Sequence, residues 1–257
     1  MYETIVRGRT LPEAYHAALK ELELHGLHTD CADWNTTQKE VSMTMVVEEP
    51  LAEPMISKLF IGGPRELEQY RQEMLDGILD FEIAKGNWTY TYHDRMVNYH
   101  GFDQVQFVID ELKRSPSSRR AVILVRDADV DLGNDDPACL QHIQYFIREG
   151  KLEAKILFRS NDACKATFMN AFALILLQKR IADALGVEMG AYVHRASSFH
   201  CYEKDFGMLE GYVKRMEAAE DEYDVAYDYD DEDGWKDMME DAKPEIAEMV
   251  EELRNRE

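Results

Sequence analysis

The chain has 257 residues, 45% of them hydrophobic, four cysteines and a formal net charge of −22, enough for one large domain or two small ones with a sizeable core. That charge repels nucleic-acid backbones and anionic membranes, and no apolar run reaches the roughly 18–20 residues that span a bilayer. With no signal-peptide core in the opening Met-Tyr-Glu-Thr-Ile-Val-Arg, the expectation is a cytoplasmic protein with neither nucleic acid nor membrane as partner.

In chain order, residues 10–26 read as a helix, with Thr10 at the N-cap, Pro12 in the first turn and Gly26 as the stop. Alternation over 40–47 predicts a strand, and Pro50 and Pro54 break the chain after it. A second helix is expected over 64–85, with Leu67, Tyr70, Met74 and Ile78 at helical spacing, then a Tyr- and Trp-rich loop with strand character over 87–99. Residues 102–114 form a short amphipathic helix. Strands follow at 121–126, 140–148 and 152–158, the last two joined by a turn at Arg-Glu-Gly-Lys. The most apolar helix covers 168–186 and stops at Gly186, and another strand is expected over 190–199. This order gives a mixed sheet with helices packed on it, α+β or α/β. Residues 220–257 hold 17 acids and 4 bases. The division expected is a folded domain over 1–218 and an acidic extension over 219–257, partly disordered or helical.

Cys31, Cys139, Cys164 and Cys201 form no C-x-x-C pair and no zinc-type spacing with histidine, so no metal is expected. Each is by default a small buried hydrophobe. Cys139 has neighbours that argue otherwise. It lies in Asp-Asp-Pro-Ala-Cys-Leu-Gln between two strands, and Arg159 ends the next strand. A nearby cation lowers a thiol's pKa and favours the nucleophilic thiolate. Arg119, Arg120, Arg159 and Ser160 stand at strand ends, where guanidinium forks and a hydroxyl suit a phosphate. Ordinary surface ion pairing is the alternative for the Arg pair. Asn170 opens the apolar helix, where its amide matches a pyrimidine edge or simply caps the helix. His200 and Tyr202, two apart on a strand, share a face and suit sugar hydroxyls or a polar core edge.

The blocks Asp-Gln-Val…Leu-Lys-Arg-Ser-Pro-Ser-Ser-Arg-Arg, Pro-Ala-Cys-Leu-Gln, Gly-Lys-Leu…Phe-Arg-Ser-Asn-Asp, Asn170 and His-Cys-Tyr at 200–202 occur in the order found in thymidylate synthases and their hydroxymethylase relatives, which this chain resembles from about 102 to 205. The resemblance implies a mixed sheet packed with helices in a three-layer fold that forms a back-to-back dimer. It places Cys139 on the nucleophile that adds to C6 of a pyrimidine nucleotide. It places Arg159 and Ser160 on phosphate-binding positions, and Arg119 and Arg120 on a pair that reaches the partner subunit's phosphate. Asp162 and Asn170 fall on base- and folate-contacting positions, and His200 and Tyr202 on the sugar-binding pair. Tyr92, after Trp88, falls on a tyrosine that assists proton abstraction at C5, and Trp88 falls by the folate. The implied co-substrate is 5,10-methylene-tetrahydrofolate or a related reduced pterin, and the implied reaction dUMP to dTMP. Hydroxymethylation of uridylate or cytidylate, and a nucleotide-binding relative without turnover, are the alternatives.

The departures point to a divergent, archaeal-type branch. Leu140 stands where the family has His, and Phe158 where it has Gln. Residues 33–37 carry no phosphate-loop Arg. Glu66, Glu68 and Glu73 compete for the family glutamate. The acidic tail stands in place of the segment that closes over the folate.

Overall fold

A computed structural model describes residues 1–231 and 234–256. Strand β1 (Glu3–Gly8) leads into α1 (Leu11–His25), β2 (Leu27–Cys31), β3 (Thr36–Val47) and the short β4 (Ile56–Ser57). Helices α2 (Pro64–Asp76), α3 (Phe81–Ala84), α4 (Tyr92–Val97) and α5 (Gln104–Arg114) follow, then β5 (Val122–Leu124) and α6 (Ala128–Asp131). The second half runs β6 (Leu140–Arg148), β7 (Lys151–Asp162), α7 (Thr167–Leu185), β8 (Glu188–Tyr202), α8 (Phe206–Ala218), β9 (Ala226–Tyr227) and α9 (Trp235–Asn255).

Seven strands make one mixed sheet in the order β1-β3-β8-β7-β6-β5, with β2 paired to β3. β1 with β3 and β7 with β8 run parallel, and the other pairs run antiparallel. Helices α1 and α7 cover one face over the buried Leu152, Ala154, Ile156 and Phe158 of β7. The other face carries Phe146, Leu157, Val193 and Arg195, all half-buried. The expected mixed sheet with packed helices is thus present.

Local chemistry sets the element ends. Thr10 accepts the backbone N–H of Glu13 and starts α1. Glu149 and Gly150, both at positive φ, make the β6–β7 turn. Gly186, at φ +67°, closes α7. The continuous helix expected over 64–85 is two helices, because Gly77 takes φ +64° and ends the first. The segment 87–99, expected to be a loop with strand character, contains α4 instead, since the Thr91 hydroxyl accepts the Asp94 N–H and caps a helical turn. Asn170 is the fourth residue of α7 and does not cap it.

The acidic C-terminal stretch folds back on the body. β9 pairs with β4, and α9 lies along α2. Arg65 Nε donates to Glu245 Oε1 at 2.7 Å, Lys85 reaches the carbonyls of Leu253 and Arg256, and Trp235 is buried beside Phe60.

Candidate active site

Cys139 is half-buried in the last loop position before β6. Its loop is tied to β7 by Arg159. The Arg159 backbone N–H donates to Cys139 O at 2.8 Å, its Nε to Ala138 O at 3.1 Å and one terminal nitrogen to Pro137 O at 2.6 Å. The other terminal nitrogen makes no hydrogen bond or ion pair among the described residues, so one side of the fork is open to an anion. Burial pushes the Cys139 thiol up, Arg159 pulls it back and Asp136 adds to the rise. Desolvation outweighs the cation here, and the thiol is a neutral group near pH 7.

Four tyrosines, Tyr70, Tyr90, Tyr92 and Tyr202, stand in the neighbourhood of Cys139. Tyr92 Oη accepts the N–H of Leu140 at 3.3 Å, which fixes the phenol beside the thiol. Burial first of all holds Tyr70 and Tyr92 well above the ordinary phenol range, and pushes Tyr90 and Tyr202 up to about 12. All four remain neutral phenols that can share hydrogen bonds but do not act as bases near neutral pH.

A cavity of about 490 Å³ opens beside three of them, lined by Tyr70, Glu73, Trp88, Tyr90, Tyr92 and Asp136 among others. Trp88 is 43% exposed at its edge. This separates the three candidate glutamates. Glu66 takes the Gly63 N–H at the start of α2. Glu68 is buried and gripped by Arg71 Nε and a terminal nitrogen, each at 2.7 Å. Glu73 lines the cavity, where burial raises its carboxyl pKa and Gln69 donates to it at 2.8 Å.

At the far end of β8, His200 and Tyr202 meet edge to face at 4.8 Å. His200 Nδ1 lies 3.3 Å from both Ser160 Oγ and Ser198 O. Its Nε2 is buried and has no hydrogen-bond partner among the described residues, which marks it for a ligand hydroxyl. Asp162 accepts the N–H groups of Cys164 and Lys165 and shapes the turn into α7. Asn170, 5% exposed, sits behind Tyr70: its amide donates to Tyr70 Oη and accepts from Asn161 Nδ2 at 2.9 Å.

Arg119 and Arg120 do not join this group within one chain. Both are exposed at the head of β5, beside Tyr145, whose N–H donates to Ala121 O. That is six residues along β6 from Cys139, or about 20 Å of strand. Arg120 is held by Glu111 at 3.0 Å. Sequence reasoning missed Tyr90, Asn161 and His194 altogether and gave Tyr70 only a place in the helical stripe. The aromatic cluster after Trp88 was the one signal that pointed toward Tyr90.

A mixed sheet that carries a thiol at a strand start, an arginine holding the loop beside it and an aromatic-walled cavity nearby has the parts of a ligand-binding site. The Thymidylate synthase family model matches residues 35–244, and the chain belongs to that family. It is 30% identical over 213 residues to a provisionally named thymidylate synthase of Methanosarcina barkeri, covering 82% of this chain and 94% of that one. Identity to the corresponding Methanocaldococcus jannaschii protein is 33% over 187 residues, 68% and 80% of the two chains. The thymidylate synthase of Bacillus licheniformis is 34% identical over 152 residues, 58% of this chain and 51% of that one. The solved thermostable thymidylate synthase A of Bacillus subtilis superimposes with a TM-score of 0.64 at 19% identity, over 80% of this chain and 84% of that one. That last likeness is one of fold.

Proposed function

We propose that this chain transfers a one-carbon unit from a reduced folate to C5 of a pyrimidine nucleoside monophosphate, converting dUMP to dTMP. The observation that carries the reading is the setting of Cys139: its loop is tied down by Arg159, Tyr92 is bonded to the N–H of the next residue, and Asp136, three residues away, lines the aromatic-walled cavity. In this reading the open side of Arg159, with Ser160, takes the phosphate. His200 Nε2 and Tyr202 take the sugar hydroxyl. Cys139 Sγ adds to C6, and C5 becomes the nucleophile toward the one-carbon unit, so one hard step becomes two easier ones. Tyr92, held by Leu140 N–H, places its hydroxyl near C5 and orients a water there rather than taking the proton itself. Trp88, Tyr90 and Leu79 suit the flat face of a pterin, and Asp162 and Asn170 support the base side. Bound folate supplies the carbon and then the hydride.

Arg119 and Arg120 lie outside the site of their own chain, and the half-buried sheet face with Leu157 and Val193 suits a second copy. Both features support a homodimer in which the arginine pair serves the partner's phosphate. Among the described residues no helix is long and apolar enough to cross a membrane.

The cavity also carries Glu73, Asn87, Thr89, Thr91, Asn134 and Asp136. These polar groups can hold water, and water capture in place of hydride gives the 5-hydroxymethyl product. Incubation with dUMP and methylene-tetrahydrofolate separates the two: dihydrofolate should appear in step with dTMP, and hydroxymethyl product without dihydrofolate would replace the methylase reading. Cys139→Ser should abolish tritium release from C5-labelled dUMP while nucleotide binding survives. Absence of release by the wild-type protein from dUMP, dCMP, UMP and CMP alike would leave only a binding role.

A further inference from the structure

Two of the cavity walls follow one another in the chain. The first is α2, which presents Tyr70, Glu73 and Met74, and the second is the stretch after it, which presents Leu79, Asn87 and Trp88. Gly77, at φ +64°, breaks the helical backbone between them. Each side of the break is anchored to the body. Before it, Arg180 donates to Leu75 O and to Asp76 Oδ1, both at 2.8 Å. Beyond the second wall, Tyr92 Oη accepts the Leu140 N–H, and Arg95 donates to Val125 O at 3.0 Å.

The stretch between these anchors is thin. Residues 84–89 are all exposed. It is tied chiefly to itself: Glu82 O accepts the N–H groups of Asn87 and Trp88, and Glu82 Oε2 accepts from Asn87 Nδ2 at 2.6 Å. Among the described residues, the side-chain hydrogen bonds that leave 81–88 are those of Lys85, and both end on carbonyls at the C-terminal end of α9, Leu253 and Arg256. Arg254, from the same turn, lies over the Phe81 ring at 4.9 Å.

The same helix also holds the first wall. Arg65 of α2 donates to Glu245 at 2.7 Å, and Ile246 is fully buried. Eight residues of helix, about 12 Å, separate Glu245 from Leu253. Both lie beyond Pro244, so the helix between them is uninterrupted. One stiff rod therefore crosses the break at Gly77 and is bonded to both walls. No described residue of α9 lines the cavity, so the helix acts from outside and is not a lid.

We infer that α9 is a splint across the Gly77 break: through Lys85 and Arg254 it fixes the wall that carries Leu79, Asn87 and Trp88 relative to α2, and so sets the width of the cavity for the flat ligand bound there. That this ligand is a reduced pterin rests on the function proposed above; the splint does not. Lys85 and Arg254 are positioning residues, since neither lines the cavity. Arg159, Ser160 and His200 lie on β7 and β8, away from the break, so nucleotide binding should not depend on them.

The test is the Lys85→Met/Arg254→Met protein. Both side chains are exposed, so the fold should survive, and a melting curve checks this. Hydrogen exchange read by mass spectrometry should become about fivefold faster or more across 79–88, with β7 unchanged. At saturating dUMP, the KM for methylene-tetrahydrofolate should rise about fivefold or more, with kcat and dUMP affinity as in the wild type. A role in overall stability alone would lower the melting temperature and leave that KM where it was. Unchanged exchange across 79–88, an unchanged folate KM in the folded, active variant, or an equal loss of dUMP affinity overturns the proposal. If the double variant fails to fold, Lys85→Met alone is read in the same way. A wild-type protein that never uses the folate would overturn the pterin reading instead, and the exchange rates would still decide the splint.

Discussion

Acid should destabilise this protein through its desolvated histidines, and half-buried His16 is the cleanest place to test it. His16 Nε2 lies 2.7 Å from Ser57 Oγ, between α1 and β4. Burial first, then Lys20 and Arg215, push it down to about 3 from the ordinary 6.5. A histidine lowered on folding stays neutral in the native state while the unfolded chain takes up a proton. Its stabilising contribution is therefore complete above pH 6.5 and is lost as pH falls toward 3. At pH 5 the loss is about 2 kcal/mol for one such group. His194, with the same shift from burial, adds a similar amount, and together they remove a large part of a typical 5–15 kcal/mol. Protonation of the many surface carboxylates relieves repulsion and works the other way, so the wild-type curve alone does not isolate the effect. His16→Gln does, because the other groups cancel in the difference. Urea denaturation at pH 7, 6 and 5 should show the variant closing on, or passing, the wild type by about 2 kcal/mol between pH 7 and 5. Parallel stability curves would refute the assignment of a neutral, half-buried His16.

Iodoacetamide alkylation of Cys139, mapped by mass to set Cys31 apart, should be slow at pH 7 and rise about tenfold per pH unit to at least pH 9; a plateau below pH 8 would contradict the buried, raised thiol. Arg159→Gln should slow that alkylation further at fixed pH and destabilise the protein by about 2–4 kcal/mol, because two loop carbonyls lose charged donors; thermal melts check the second effect. Gly77→Ala forces φ +64° on an L-residue and drives a Cβ into the His93 ring. It should cost about 1–3 kcal/mol by denaturant midpoint, more than an ordinary helix-end substitution. Trp235→Ala should cost about 3–5 kcal/mol, since its ring is buried against Phe60 and anchors α9; a near-neutral effect would mean that α9 contributes little to the folded body.

The parts of the fold that the sequence revealed are those whose signals are local. Thr10, Pro12 and Gly26 bracket α1, Glu149-Gly150 turns the β6–β7 hairpin, and Gly186 ends α7. The two misread stretches carry conflicting local signals. Apolar spacing runs on past Leu75 to Ile78 and Leu79, and one left-handed glycine overrides it. The Tyr- and Trp-rich composition of 87–99 favours a strand, and a single Thr91 cap is enough to start α4. Cys139, Arg159, Ser160, His200 and Tyr202 were legible because each sits at or near a strand end. The partners of Tyr70 were not, because Tyr192 and His194 lie some thirty residues from Asn161, and no periodicity shows which buried polar atoms will meet.

The departures from the family pattern are linked through the same interior. Leu140 and Phe158, which stand where the resemblance implies polar residues, are both fully buried, and Phe158 stacks on the His194 ring at 4.7 Å. An apolar pair next to the nucleophile removes hydrogen-bonding groups from the Cys139 side of the sheet and adds to the desolvation that raises the thiol. Phe158 also packs one face of His194, which bonds Tyr192 and Asn161. Phe158 and His194 are therefore poor candidates for independent substitution. A polar side chain at 158 would lose the stack and offer His194 Nε2 or Nδ1 a competing partner, so its effect should reach the cavity through Asn161, Asn170 and Tyr70 as well as through Cys139. A double-mutant cycle between Phe158→Leu and Tyr192→Phe, read by denaturant midpoint, should accordingly be non-additive. Strict additivity would mean that the ring stack on His194 and its bond to Tyr192 act separately.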